Sequence, residues 1–234
     1  MQVQLFIPLV VDQCCPEVAF DAISLLESVG CDVNVVESQT SSGEEIYASG
    51  FWPDAREVGE KFLNDFSSSC PIIVPSVESA AYIKNQMGKL FENSSKHNKY
   101  KELANQTYEL SSFLVEHLNI DNFNAMFKEN VAVHPSCSYS HTHNYAHLLE
   151  RILNNVKALN FYTVDQVCAW KESLYIDSDS ADKLAEDLLQ QVIDQQTQTI
   201  LVNDPNCLVN LKAIAARQKQ TKQLNIKYFA SILV

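Results

Sequence analysis

Val202-Asn203-Asp204-Pro205-Asn206-Cys207 aligns with Val74-Pro75-Ser76-Val77-Glu78-Ser79, 128 residues earlier in the chain. Two more stretches align in the same way. His134-Pro135-Ser136-Cys137 matches Ile7-Pro8-Leu9 at an offset of 128, and Gln166-Val167-Cys168-Ala169 matches Thr40-Ser41-Ser42-Gly43 at 126. Each half of the chain therefore presents three equivalent loop positions. They hold Leu9, Ser42 and Ser79 in the first half, and Cys137, Cys168 and Cys207 in the second. Three thiols on three separate loops are the pattern of a metal or cluster site.

The segments between these loops alternate in character. Residues 3–11 form an apolar run broken by Pro8, the pattern of a buried strand. Between Pro16 and Val29 the apolar residues Val18, Ala22, Leu25, Leu26 and Val29 recur at helical spacing, and Gly30 stops the helix. Strands are predicted at 33–36, 71–74, 131–134, 159–162, 199–202 and 226–229, with a polar loop over 37–50. Helices are predicted at 55–66, 78–91, 108–118, 147–156, 181–195 and 206–218. Residues 92–101 are polar and basic and read as the loosest connection.

Strands alternating with helices imply an α/β fold with parallel sheets. The expected architecture is two pseudo-repeated, Rossmann-like lobes, each a small parallel sheet flanked by helices, with loops converging on a shared crevice. The expected division is a first lobe at 1–95, a helical connection at 96–127 and a second lobe at 128–234. Leu9, Ser79, Cys137 and Cys207 all follow predicted strands, where such sheets build their sites.

Composition narrows the function. With 234 residues and 46% hydrophobic content the chain buries a substantial core. Its net charge of −12 argues against nucleic acid or an anionic membrane surface as the partner. The apolar stretch at 1–11 has no basic leader and is too short to span a bilayer, so a cytoplasmic protein is expected, without membrane insertion. Seven cysteines, an odd number, then read as free thiols or ligands rather than disulfides. There is no Gly-x-Ser-x-Gly elbow and no glycine-rich phosphate or dinucleotide loop. Ser41-Ser42-Gly43-Glu44-Glu45 carries negative charge where an anion site would need the opposite. Of the adjacent pair Cys14-Cys15, one thiol is expected buried and one exposed. Phe51-Trp52 and Tyr162 read as core or interface, and Trp170 as core or as a lid on the crevice.

The chain resembles the cysteine-rich CCG-domain family, whose members include lactate-utilization protein A, the glycolate oxidase iron–sulfur subunit and a subunit of heterodisulfide reductase. The resemblance runs over the whole chain and is carried by Val3-Gln4-Leu5-Phe6-Ile7-Pro8, Gln39-Thr40, Tyr47-Ala48-Ser49-Gly50, Glu109-Leu110-Ser111, His134, Ser136-Cys137 and Asp204-Pro205-Asn206-Cys207-Leu208. It implies iron–sulfur clusters held by one cysteine after the first strand of each half, a Cys-Cys-Gly loop, and one cysteine after a later strand. This chain departs from that pattern. Its first half reads Leu9, Ser41-Ser42-Gly43 and Ser79, and its second-half loop reads Val167-Cys168-Ala169-Trp170-Lys171-Glu172.

What the resemblance leaves for a cofactor is Cys137, Cys168 and Cys207. A second constellation, His134, Cys137, His141, His143 and His147, suits a mononuclear Zn or Fe ion, with His141 and His143 joining the cysteines as ligands. The resemblance implies a role in electron transfer during oxidation of lactate or a similar 2-hydroxy acid, with other subunits of a lactate-utilization-type complex as partners. The alternative is a cluster-less paralogue acting as scaffold or regulatory partner of oxidoreductase subunits. In either case the chain is at most a non-catalytic or electron-transfer subunit.

Overall fold

Strands β1 (Gln2–Leu5), β2 (Asp32–Val35), β3 (Ile72–Val74) and β4 (Thr107–Glu109) form a parallel sheet in the order β2-β1-β3-β4. Strands β5 (Asn130–His134), β6 (Asn160–Thr163), β7 (Thr199–Val202) and β8 (Asn225–Tyr228) form a second, in the order β6-β5-β7-β8. The fold is a computed structural model that describes residues 1–136, 145–164, 168, 178–217 and 220–234. Contacts divide the chain into two units, Met1–Phe113 and Leu114–Val234, with one sheet in each.

The repeat read in the sequence is kept down to strand register. β1 pairs with β2 from Gln2 opposite Asp32, and β5 pairs with β6 from Asn130 opposite Asn160. Gln4 faces Ile72 in the first sheet, and Ala132 faces Ile200 in the second. Every member of these pairs moves by the same 128 positions. A slip of one residue would turn each strand's side chains to the opposite face, so this register fixes which residues reach the core.

Helices α1 (Leu9–Cys14) and α2 (Glu17–Ser28) follow β1, and α3 (Glu44–Ala48) and α4 (Trp52–Asp65) follow β2. After β3 come α5 (Val77–Asn85) and α6 (His97–Asn105). β4 leads into α7 (Leu110–Ser112) and a π-helical turn at Phe113–His117. In the second unit α8 (Tyr145–Leu153), α9 (Ser178–Asp194) and α10 (Pro205–Ala215) follow β5, β6 and β7. The inner strands β3 and β7 are buried at every position, as strands covered by helices on both faces must be. Helix α2 buries Val18, Ala22, Leu25 and Leu26 on one stripe, each long side chain contributing roughly 1.5–3 kcal/mol. In the first unit the Phe6 ring meets Phe62 and Phe66 edge-on at 5.2 and 5.7 Å.

Four stretches differ from the sequence expectation. The strand at 3–11 stops at Leu5, because Pro8 (φ −59°) opens α1 and its carbonyl accepts from Val11 and Asp12. The loop at 37–50 contains α3, and the connection at 92–101 contains the start of α6, whose Tyr100, Leu103 and Ala104 face the core. The expected helix at 108–118 begins instead with β4, which pairs with β3 from Ile72 opposite Thr107. Phe51 and Trp52 are 61% and 59% exposed and so are not core. Cys14 is exposed and Cys15 buried. No helix among the described residues is long and apolar enough to cross a membrane.

Candidate metal centre in the second unit

From β5 the chain passes to β6 on one side of the sheet, and β7 then pairs on the other side of β5. Such a reversal of strand order opens a crevice beyond the carboxyl ends of the two central strands, the usual ligand position in α/β sheets. His134 is the last residue of β5, and Cys207 lies in the first turn of α10, just past β7. Cys168 comes from the loop after β6. The three side chains are buried, and their donor atoms all lie within 4.8 Å of one another. Between Cys168 Sγ and Cys207 Sγ the distance is 3.4 Å.

Local chemistry fixes each donor. Asp204 caps α10, its carboxylate accepting from the Asn206 N–H at 2.9 Å, and Pro205 takes the first helical position, where no N–H is needed. That sets the phase of the helix and hence where Cys207 points. The positive end of the helix also favours negative charge at its first turn. Asn210, three residues beyond Cys207 on the same face of α10, donates through Nδ2 to the Cys168 carbonyl at 2.6 Å. The Ser136 N–H donates to Asn203 Oδ1 at 2.7 Å, tying the loop after β5 to the turn after β7.

Of the residues predicted for the site, the structure brings together Cys168 and Cys207. Cys137, His141 and His143 lie outside the described residues, as do Val167 and the stretch 169–172 with Trp170. His134, a member of the predicted histidine constellation but not of the narrower ligand set drawn with the cysteines, joins the two cysteines as a donor. Its signal was its place at the end of a strand, three residues before Cys137. Asn203 and Asn210 carried no signal of their own, since each acts through a contact distant in sequence.

The equivalent positions of the first unit offer no such donors. Phe6 stands in the register of His134 and continues the ladder by donating from its N–H to the Ile73 carbonyl. Leu9 is 44% exposed, and Ser42 is buried. Ser79 donates from its hydroxyl to Glu44 Oε2 at 2.7 Å. An imidazole and two thiols in one unit are thus a phenyl ring and two hydroxyls in the other. Gly43, the glycine of the Ser-Ser-Gly loop, has φ +87°, and a Cβ there would stand 3.0 Å from the Ala55 carbonyl oxygen.

Residues 131–212, spanning β5 to α10 and all three donors, match the CCG cysteine-rich domain. Over those residues the chain is similar to that family. Curated relatives extend the likeness over the whole chain. Lactate utilization protein A 1 of Bacillus mycoides is 27% identical over 239 residues, covering 100% of this chain and 96% of the relative. Lactate utilization protein A of Bacillus subtilis is 25% identical over 238 residues, covering 100% and 99%. That of Oceanobacillus iheyensis is 24% identical over 237 residues, covering 100% and 96%. Among solved structures, a glutamate racemase from Bacillus anthracis aligns with a TM-score of 0.40 at 11% identity, covering 99% of this chain and 77% of that one, too loosely to bear on chemistry.

CCG domains are the context in which an iron–sulfur cluster was expected, and the sulfur geometry tests that fit. A [4Fe–4S] cluster places each cysteine on its own iron, with metal and inorganic sulfide between the thiolates, whereas a [2Fe–2S] cluster puts two cysteines on one iron. At 3.4 Å, Cys168 and Cys207 leave no room for two irons between their sulfurs. A single tetrahedral ion with Zn–S bonds near 2.3 Å sets two thiolates about 3.8 Å apart, close to the spacing found. The two thiols and the imidazole are therefore spaced for one shared metal ion rather than for two irons of a [4Fe–4S] cluster.

Proposed function

We propose that this protein serves the oxidation of lactate or a similar 2-hydroxy acid as an accessory subunit, with its CCG-like domain as the working part of the chain. The proposal is carried by the group His134, Cys168 and Cys207 at the strand-order reversal of that domain. It is supported by end-to-end similarity to proteins named lactate utilization protein A.

Two forms of that role are distinguishable. In the first, electrons from the hydroxy acid pass through an iron–sulfur group on Cys137, Cys168 and Cys207. In the second, the chain is a scaffold or regulatory partner that docks on oxidoreductase subunits. The Ser79–Glu44 pair, standing where the family pattern calls for a cluster cysteine in the first unit, favours the second form.

The test is a gene deletion. Growth on lactate as sole carbon source should slow while growth on glucose is unchanged, and lactate-oxidising activity should co-purify with the tagged chain. Unimpaired growth on lactate would refute the role. About four irons with matching sulfide per chain in protein purified without oxygen would overturn the scaffold form in favour of the electron carrier.

A further inference from the structure

We infer that His134, Cys168 and Cys207 form a centre for a single thiophilic divalent cation, zinc by its donor chemistry. The inference rests on the reading of the CCG domain as the working part of the chain, and it names the occupant.

Three observations carry it. The donors converge from three separate elements, the end of β5, the loop after β6 and the first turn of α10, to within 4.8 Å. Local sequence does not bring such residues together by accident of spacing, and the Asp204 cap and the Asn210 hydrogen bond hold two of them in place. All three side chains are buried, with exposures of 2% or less for His134 and Cys168 and 3% for Cys207. Charge decides the ion. Two thiolates cancel the charge of a divalent cation and a neutral imidazole adds none, so the filled centre carries no net charge into the interior. An unbalanced charge there would be costly. Imidazole with two thiolates is a zinc donor set, and three protein ligands leave the fourth tetrahedral position to a further ligand.

The binding step is an exchange of protons for metal. Two thiols release two protons to solvent as two Zn–S bonds form, and the imidazole nitrogen donates its lone pair without change in the protein's redox state.

Cobalt is the probe, because tetrahedral thiolate coordination gives it visible d–d bands and a near-ultraviolet charge-transfer band. Apo-protein titrated with Co²⁺ should develop both at one equivalent, and one equivalent of Zn²⁺ should bleach them. Cys168→Ser and Cys207→Ser should weaken binding by at least the roughly 10–100-fold that loss of an outer-shell partner costs, and His134→Gln likewise. Zinc should raise the Tm of the wild type and leave that of Cys207→Ser unmoved, a readout available wherever the variant still melts cooperatively. Absence of the bands in folded wild-type protein, bands that persist in both cysteine variants, or cobalt sites lacking thiolate charge transfer would overturn the assignment. A cobalt centre in a protein whose deletion spares growth on lactate would sink the pathway reading and leave the centre standing. Slowed growth without the centre would do the reverse.

Discussion

Asn210 holds the backbone of Cys168 in place, its side-chain amide donating to the Cys168 carbonyl at 2.6 Å from the same helix face that presents Cys207. One helix thus supplies one sulfur directly and positions the other. Replacing Asn210 by Ala or Asp removes the donor without touching either thiol. The expected outcome is a cobalt affinity lower by roughly 10-fold or more, with an unchanged far-ultraviolet circular dichroism spectrum. Unchanged affinity in both variants would show that the contact does not position the loop.

The helices that follow β3 and β7 start with matched caps. Ser76 accepts from the Ser79 N–H at 3.1 Å, and Asp204, 128 residues later, accepts from Asn206. Ser76→Ala and Asp204→Ala should each cost about 1 kcal/mol in urea unfolding. Only Asp204→Ala should also weaken metal binding, because only α10 carries a donor.

Much of this architecture is legible in the residues. The run Thr199-Ile200-Leu201-Val202 reads as a buried strand and is one, and Gly30 at φ +83° ends α2 where the pattern stops. The 128-residue offset of two of the three loop pairs returns as the register of paired strands. What escaped has a physical reason. Thr107-Tyr108-Glu109 abuts Leu110, Phe113 and Leu114, whose helical spacing extends the pattern backward over a short strand that only pairing with β3 reveals. The part of the site legible in the sequence was its cysteines, marked by the repeat. His134 looked like one member of a histidine-rich stretch, and only the sheet shows that it ends a central strand beside Cys207.

Gly43→Ala tests the first-unit loop. At φ +87°, and with the Ala55 carbonyl oxygen 3.0 Å from the new Cβ, alanine is strained by both backbone and contact. A loss of about 1–3 kcal/mol is expected by chemical denaturation, with metal binding by the second unit intact. A neutral substitution would mean that the loop rearranges freely.

Tyr82 is buried at 2% exposure, with no hydrogen-bond partner for its hydroxyl among the described residues. Burial, and after it the neighbouring Glu44 carboxylate, push its phenol above the ordinary value of 10.0. The folded state therefore keeps its proton where the unfolded chain releases it. This contribution to stability is complete below about pH 10 and is lost as pH rises beyond it. Tyr82→Phe should raise stability at neutral pH by about 1 kcal/mol and flatten the decline above pH 10, as read from unfolding free energies against pH. A decline as steep as in the wild type would assign the alkaline loss to other groups.

The most direct test of the whole account is the zinc, iron and acid-labile sulfide content per chain of protein expressed and purified without oxygen, beside the Cys168→Ser, Cys207→Ser double variant. One zinc, negligible sulfide and loss of the metal in the double variant are the predicted result. About four irons with matching sulfide, or metal retained when both cysteines are gone, would contradict it.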